Sequence, residues 1–228
     1  MLDSDQKNMW RPAQILSDRT HRLAEPVGRI VGKTGVSPNT LTIFGFCINF
    51  GVAWLISQGY FLYGGILILA AGIFDLLDGA VARMTGKVTK FGALLDSTLD
   101  RYSEGVVLFG LLWYYASQLN VGYKTECLLI FATIVGSILV SYVRARAEGL
   151  NLDAEVGIFR RTMRIGILSL GLMVSALPDK PDTVMLYTLW ILAIGTNFTA
   201  VHRLFYVGAK THKSRTTPSS PASDKGKS

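Results

Sequence analysis

Four aspartates, Asp75, Asp78, Asp96 and Asp100, lie close together in an otherwise apolar part of the sequence. Asp75 and Asp78 are three residues apart and Asp96 and Asp100 are four apart, so each pair would share one face of a helix. An ionised side chain at membrane depth costs on the order of 3 kcal/mol and needs a compensating partner. Because oxygen ligands suit Mg²⁺ or Mn²⁺ whereas zinc prefers Cys and His, the spacing predicts a divalent-metal site between two helices.

The alternative is that these aspartates are polar residues at helix ends that pair with nearby cations, namely Arg83, Lys87, Lys90 and Arg101. Such pairing accounts for Asp100 beside Arg101. It does not account for Asp75, which lies about 12 Å along a helix from Arg83. The concentration of acids in apolar sequence therefore favours the metal site.

Six apolar runs of about 20 residues would position these acids. The first follows Ser37-Pro38-Asn39, where Asn39 is a possible helix N-cap, and ends near Ser57. The others cover about 61–83, 92–118, 125–147, 158–177 and 183–208. Half of the chain's 228 residues are hydrophobic, 17% are charged and mean hydropathy is +0.34. These features predict an all-α integral membrane protein with one domain, 37–208, of six transmembrane helices.

The two terminal segments differ from this domain in composition. Residues 1–36 interleave six Lys and Arg with apolar residues at spacings of three or four, which predicts an amphipathic helix on the membrane surface. A soluble regulatory arm is the alternative. Residues 209–228 are rich in Ser, Thr, Pro and Lys, so we expect a disordered tail.

The formal net charge of +7 raises the question of a nucleic-acid partner. The basic residues punctuate the apolar runs instead of forming one soluble patch, so we expect anionic lipid and phosphorylated substrates and no nucleic acid. Nearly all Lys and Arg fall on one side of the predicted helices. The positive-inside rule then places both termini and the aspartates on the cytoplasmic side of the cell membrane.

A second group of cations occurs at the ends of the last three apolar runs, and comprises Arg144, Arg146, Arg160, Arg161, Arg164 and Arg203. Several guanidinium groups at one membrane face suit a phosphate carried by a substrate. Arginines that extend from the helices to the interface would give the same pattern. Composition leaves both interpretations open.

The aspartate stretch resembles the signature of the CDP-alcohol phosphotransferase family. The chain matches its fixed positions, Asp-x-x-Asp-Gly-x-x-Ala-Arg and, eight residues later, Gly-x-x-x-Asp-x-x-x-Asp. The resemblance implies a homodimeric membrane enzyme that transfers a substituted phosphate from a CDP-linked lipid to an alcohol and releases CMP. We expect Asp75, Asp78 and Asp96 to hold two Mg²⁺ or Mn²⁺ ions and Asp100, partly a ligand, to act mainly as general base. The expected CDP-lipid site comprises Gly79, Ala82, Arg83 and Gly92.

Within that family, the stretches FGALLDSTLDRYSEG and SYVRARAEGL resemble the prokaryotic phosphatidylinositol-phosphate synthases. The resemblance maps the acceptor-phosphate residues onto Ser141, Arg164 and Arg203, with Arg144, Arg146 and Arg161 as further candidates. One stretch departs from the pattern, because FRRTMR at 159–164 replaces an acidic, proline-containing run.

The function implied is transfer of a phosphatidyl group from CDP-diacylglycerol to inositol phosphate. Glycerol 3-phosphate, free inositol or serine as acceptor, and an ether-lipid donor, are alternatives with the same chemistry. A small transporter is an alternative of another class, since intramembrane acids also serve transport. The absence of an evident internal repeat and the position of the acids at one side of the membrane favour the enzyme over the transporter.

Overall fold

The computed structural model describes residues 37–84, 89–118, 122–152, 154, 156–177 and 181–216. For 38, 41, 73–84, 181 and 212–216 it describes the backbone but not the side chains. The predicted amphipathic segment 1–36 lies outside these residues. The described part contains six α-helices and no strand, which confirms the all-α prediction. They are α1 (Pro38–Ser57), α2 (Phe61–Met84), α3 (Lys90–Ala116), α4 (Lys124–Glu148), α5 (Arg161–Ser175) and α6 (Pro181–Thr216).

The first helix begins earlier than the sequence suggested. Ser37, not Asn39, is the N-cap: its side chain accepts a hydrogen bond from the backbone N–H of Thr40 at 3.2 Å. Pro38 follows at the first helical position, where its fixed φ is favourable and its missing N–H costs nothing. Asn39 instead lies inside the first turn.

Two further helix boundaries differ from the predicted ones. Helix α5 begins at Arg161 instead of 158, since Gly157 has a left-handed φ of 102° and Arg160 is extended. Helix α6 continues to Thr216, so residues 209–216 are not disordered as predicted. The Thr211 hydroxyl donates to the carbonyl of Val207 at 2.8 Å in this added part of the helix. The helix ends two residues before Pro218, and a proline disfavours helical backbone at the residue before it.

The helices pack as a closed ring in the order α1, α2, α5, α6, α4 and α3, and α3 returns to α1. The apolar core inside the ring combines side chains from all six helices. Its largest fully buried members include Ile56, Leu108, Leu111, Tyr115, Ile130, Leu172, Met185, Leu189 and Leu192. Buried hydroxyl side chains such as Thr133, Ser169 and Thr196 also lie along the helices and donate to backbone carbonyls.

The outer surface of the ring is also apolar. Trp54, Phe131 and Phe198 are 62%, 61% and 68% exposed, and many other large apolar side chains share this surface. Within the part of the chain that the structure describes, two segments are long and apolar enough to cross a membrane, Lys124–Glu148 and Asp182–Thr211, and Thr42–Ser57 and Phe61–Gly72 are shorter apolar stretches. An exposed apolar surface of this extent is typical of contact with lipid or with another protein.

Helices α1 and α3 approach each other closely at Gly110. A Cβ added at Gly110 would lie 2.4 Å from the backbone carbonyl oxygen of Ala53, which cannot rotate away. We expect Gly110→Ala to lower the free energy of unfolding by about 1–3 kcal/mol, because the two backbones must separate. Thermal unfolding of the purified protein in detergent measures the change.

Gly105 provides the matched control on the same helix, since an added Cβ there meets nothing within 4 Å. Gly105→Ala should leave stability unchanged or raise it by up to about 1 kcal/mol, because alanine favours helix over glycine. Equal losses in the two variants would show that close packing of α1 against α3 does not explain the effect.

Candidate active site

The aspartates of the signature lie on α2 and α3. Asp96 and Asp100 follow the start of α3 by about 9 and 15 Å along the helix axis, at 1.5 Å per residue. Asp78 and Asp75 precede the end of α2 by about 9 and 14 Å. Residues 85–89 connect these two helix ends. All four aspartates are therefore at similar distances along the chain from the end of the bundle at which α2 ends and α3 begins.

The donor chemistry of this motif fits a divalent ion. Asp96 and Asp100 are half-buried and one helical turn apart, and carboxylate oxygens suit Mg²⁺ and Mn²⁺. Among residues with described side chains, no group of three or more His, Cys, Asp or Glu is placed to hold a metal. The side chains of the predicted ligands Asp75 and Asp78 lie outside those described, as do those of Ala82 and Arg83.

A basic cavity of about 190 Å³ adjoins Asp100. Its walls come from α3, α4, the start of α5 and α6. Six of the nine lining residues are arginines: the cavity is bounded by Asp100, Arg101, Val140, Ser141, Arg144, Arg160, Arg161, Arg164 and Arg203. The fold thus brings guanidinium groups from four separate parts of the chain to one aspartate of the signature.

Arg164 is held rigidly at this cavity by a buried ion pair. Its Nε and Nη2 donate to the two carboxylate oxygens of Glu104 at 2.6 Å each, and Nη1 donates to the carbonyl of Phe159 at 3.0 Å. The side chains of Arg164 and Glu104 are only 3% and 9% exposed. A bidentate pair of this kind fixes both the position and the plane of the guanidinium group.

Arg203 is equally buried and binds backbone instead of a carboxylate. Its Nε donates to the carbonyl of Val156 at 2.6 Å and its Nη1 to the carbonyl of Val140 at 2.8 Å. These bonds join α6 to α4 and to the segment that leads into α5. Because neither partner is ionised, the charge of Arg203 is not neutralised by these two bonds.

Two more ion pairs occur at the cavity. Arg161 Nη1 lies 2.8 Å from Asp100 Oδ1, with side chains 30% and 21% exposed. Arg144 Nε lies 2.7 Å from Glu148 Oε1, one turn along α4. Asp100, the predicted general base, is therefore in direct contact with an arginine of the predicted acceptor site.

The structure brings most of the candidate acceptor residues together. Ser141, Arg144, Arg161, Arg164 and Arg203 all line the cavity, whereas Arg146 is exposed and is not among its lining residues. Arg144 and Arg146 differ in this way because two residues correspond to about 200° around a helix, so they point to opposite sides.

Two glycines of the signature fall in different parts of the structure. Gly79 lies on the described backbone of α2. At Gly92, the backbone N–H donates to the N-cap side chain of Thr89 at 2.9 Å, and an added Cβ would lie 3.0 Å from Asn39 Oδ1. Gly92 thus allows the start of α3 to pack against the start of α1.

Sequence reasoning missed Glu104 and the contribution of Arg101 to the cavity, whereas Arg160, named only in the wider group of cations, does line it. Glu104 follows Asp100 by four residues, as Asp100 follows Asp96, so the same helical spacing marks it. An arginine that is buried in apolar sequence, such as Arg164, also needs hydrogen-bond acceptors, and a buried acid is one kind of partner to look for. Together these two signals identify Glu104 as a candidate partner.

A larger cavity, of about 440 Å³, lies at the opposite end of the bundle. Tyr123 and Asp182 line it, and the Tyr123 hydroxyl donates to Asp182 Oδ2 at 2.9 Å. This bond raises the pKa of Tyr123 to about 12. Tyr123 precedes Ser141 by about 27 Å along α4 at 1.5 Å per residue, so this cavity is remote from the aspartate signature.

Comparison with known proteins identifies the family of this chain. Residues 35–201 match the sequence model of the CDP-alcohol phosphatidyltransferases. The chain belongs to the CDP-alcohol phosphatidyltransferase family. Membership of this membrane-enzyme family, together with two membrane-length helices and an apolar exterior, indicates a membrane protein.

The chain is similar to family members that have an assigned name and to others whose crystal structures are known. A phosphatidylinositol phosphate synthase of Corynebacterium glutamicum is 35% identical over 206 residues, which cover 87% of this chain and 86% of the relative. The Mycobacterium tuberculosis phosphatidylinositol phosphate synthase with CDP-DAG bound has a TM-score of 0.75 at 34% identity, covering 82% of this chain and 94% of that one. The same enzyme in complex with manganese and citrate has a TM-score of 0.73 at 33% identity, covering 81% and 88%.

Proposed function

We propose that this protein transfers the phosphatidyl group of CDP-diacylglycerol to an inositol phosphate and releases CMP. The observation that carries the proposal is the basic cavity beside Asp100, which has six arginines and one carboxylate in its walls. A relative with this activity in its name has CDP-DAG bound in its crystal structure. The cavity supports a donor site and an acceptor site that meet at Asp100.

The charge of the cavity favours a phosphorylated acceptor. A phosphate monoester carries up to two negative charges near neutral pH and binds guanidinium groups through charge-assisted hydrogen bonds. Arg203 offers further N–H groups beyond those it uses on Val140 and Val156, and Ser141 adds a hydroxyl. Free inositol is uncharged and serine is a zwitterion with no net charge, so neither would neutralise this excess of positive charge.

We assign the catalytic roles as follows. Asp75, Asp78 and Asp96 would hold two Mg²⁺ or Mn²⁺ ions, and such ions neutralise negative charge that develops on a phosphate during transfer. Asp100 accepts the proton of the acceptor hydroxyl, whose oxygen bonds to the lipid-side phosphorus. The bond from that phosphorus to the bridging oxygen breaks and CMP leaves. Gly79, Ala82, Arg83 and Gly92 are the proposed contacts of the CDP-lipid.

The proposed arrangement in the membrane follows from the distribution of charge. We infer that all six helices of the domain span the cell membrane, with both termini and the site on the cytoplasmic side. Segment 1–36 is proposed to lie along the membrane surface, and two copies of the chain are proposed to form a homodimer. The soluble acceptor would then reach the cavity from the cytoplasm.

The first test is CMP release by the purified protein in detergent with CDP-diacylglycerol and Mg²⁺. We expect inositol 1-phosphate to support turnover with kcat/KM roughly 10²-fold or more above that for free inositol or serine, because a buried charge left unpaired costs about 2–5 kcal/mol. Omission of Mg²⁺ should stop release with every acceptor. The measurement is initial CMP formation across a range of acceptor concentrations.

Each of the remaining outcomes would contradict one specific part of the proposal. A preference for glycerol 3-phosphate would keep the chemistry and the phosphate cavity but change the acceptor. Equal rates with free inositol would show that the arginines do not bind an acceptor phosphate. No metal-dependent CMP release with any of these acceptors would contradict the proposed reaction.

A further inference from the structure

Arg161 belongs to both halves of the proposed site. Its guanidinium group lies 2.8 Å from Asp100, the proposed base, and also lines the cavity proposed for the acceptor phosphate. A single cation therefore contacts a carboxylate that is expected to bind a divalent ion, and lines a cavity that is expected to bind an anion. The divalent ion would compete with Arg161 for the Asp100 carboxylate, and the acceptor phosphate would compete with Asp100 for the Arg161 guanidinium group.

The other buried arginines of the cavity are held by groups that take no part in the proposed reaction. Arg164 is fixed by Glu104 and the Phe159 carbonyl, and Arg203 by two backbone carbonyls. Arg161 differs because its carboxylate partner is the proposed base. Arg161 is also the first residue of α5, and its side chain is 30% exposed whereas that of Arg164 is 3% exposed, so packing constrains Arg161 less.

We propose that Arg161 is a positioning residue that couples acceptor binding to metal binding. Without acceptor, its guanidinium group holds the Asp100 carboxylate. The acceptor phosphate draws Arg161 into the cavity, and Asp100 becomes available to a divalent ion and to the acceptor hydroxyl. This inference rests on the proposed function, because it requires both the aspartate site and the anion cavity.

The physical reason is that a carboxylate oxygen bound to a guanidinium is a poorer ligand for another cation. A phosphate offers Arg161 a more strongly charged partner than one carboxylate and accepts two parallel N–H bonds. Linkage then requires that acceptor and metal raise each other's affinity by the same factor. Couplings of this kind are typically about 5- to 150-fold.

The coupling is measured as Mn²⁺ affinity of the purified full-length protein in detergent, from the electron paramagnetic resonance signal of free Mn²⁺. Mn²⁺ is titrated into the protein without an added anion, with sulfate, and with inositol 1-phosphate. We expect either anion to tighten Mn²⁺ binding by at least about fivefold. Arg161→Gln should bind Mn²⁺ tightly without an anion and lose most of the dependence on it.

Arg160→Gln is the matched control. Arg160 is the neighbouring residue, lines the same cavity and removes the same charge when substituted. Under the proposal Arg160→Gln binds the anion more weakly, because it lines the cavity, but a saturating anion still tightens Mn²⁺ binding as much as in the wild-type protein. Arg161→Lys provides a second variant should the glutamine variant fail to fold, and its coupling should be weaker than wild type because ammonium lacks the planar fork.

Several outcomes would overturn the inference. Equal changes in Arg160→Gln and Arg161→Gln would show that general positive charge, and not the contact with Asp100, controls the metal. Anion-independent Mn²⁺ affinity in the wild-type protein would show that no coupling exists. If the coupling is absent but CMP release still depends on the metal, only this inference is contradicted. Absence of both Mn²⁺ binding and CMP release in the wild-type protein would contradict the proposed function as well.

Discussion

Asp100→Asn is expected to abolish CMP release while CDP-diacylglycerol binding is retained. The amide cannot accept the proton of the acceptor hydroxyl, and loss of a general base costs typically 10²–10⁴-fold in rate. It also removes the negative charge that holds Arg161 at 2.8 Å. The measurement pairs kcat for CMP release with equilibrium binding of a CDP-lipid to the same protein.

Asp182→Asn is the control for this substitution. Asp182 is also a carboxylate near a helix end, but it lies at the opposite end of the bundle and binds the Tyr123 hydroxyl. Its kinetics should match the wild-type protein. Turnover within a few fold of wild type in Asp100→Asn would show that another group accepts the proton, and loss of CDP-lipid binding would assign Asp100 to the donor site instead.

The helices were predictable because each has a local cause. Apolar runs of about 20 residues predicted all six, and Thr89 and Ser37 mark helix starts through side-chain bonds to backbone three residues ahead. The extension of α6 to Thr216 was missed because composition suggested disorder there. In the structure the helix continues to Thr216, and the Thr211 hydroxyl donates to the carbonyl of Val207 within the added turns.

The site was only partly predictable because its pairs are distant in sequence. The aspartate spacing is a local pattern, whereas Glu104 and Arg164 are 60 residues apart and meet only after α3 and α5 have packed into the ring. Arg203 likewise bonds to Val140, 63 residues before it. Periodicity identifies which face of a helix carries a charge, but it does not identify the charge across the bundle that neutralises it.

Substitution of Arg164 tests whether this residue stabilises the fold, binds the acceptor phosphate, or does both. We expect Arg164→Met to lower the free energy of unfolding by about 3–5 kcal/mol, because Glu104 is left as a buried carboxylate without its partner. It should also lower kcat/KM for inositol phosphate by roughly 10²-fold or more through lost contact with the phosphate. Thermal unfolding and acceptor titrations measure the two effects separately.

The double variant Glu104→Gln/Arg164→Met distinguishes the two roles. Removing both charges eliminates the unpaired carboxylate, and replacing a buried ion pair with uncharged groups is often neutral or stabilising. We therefore expect the double variant to regain most of the lost stability but not the lost acceptor affinity, since its cavity still lacks the guanidinium group. Recovery of wild-type KM for inositol phosphate would show that Arg164 only stabilises the fold, and an unchanged unfolding temperature in Arg164→Met would show that its ion pair with Glu104 contributes little.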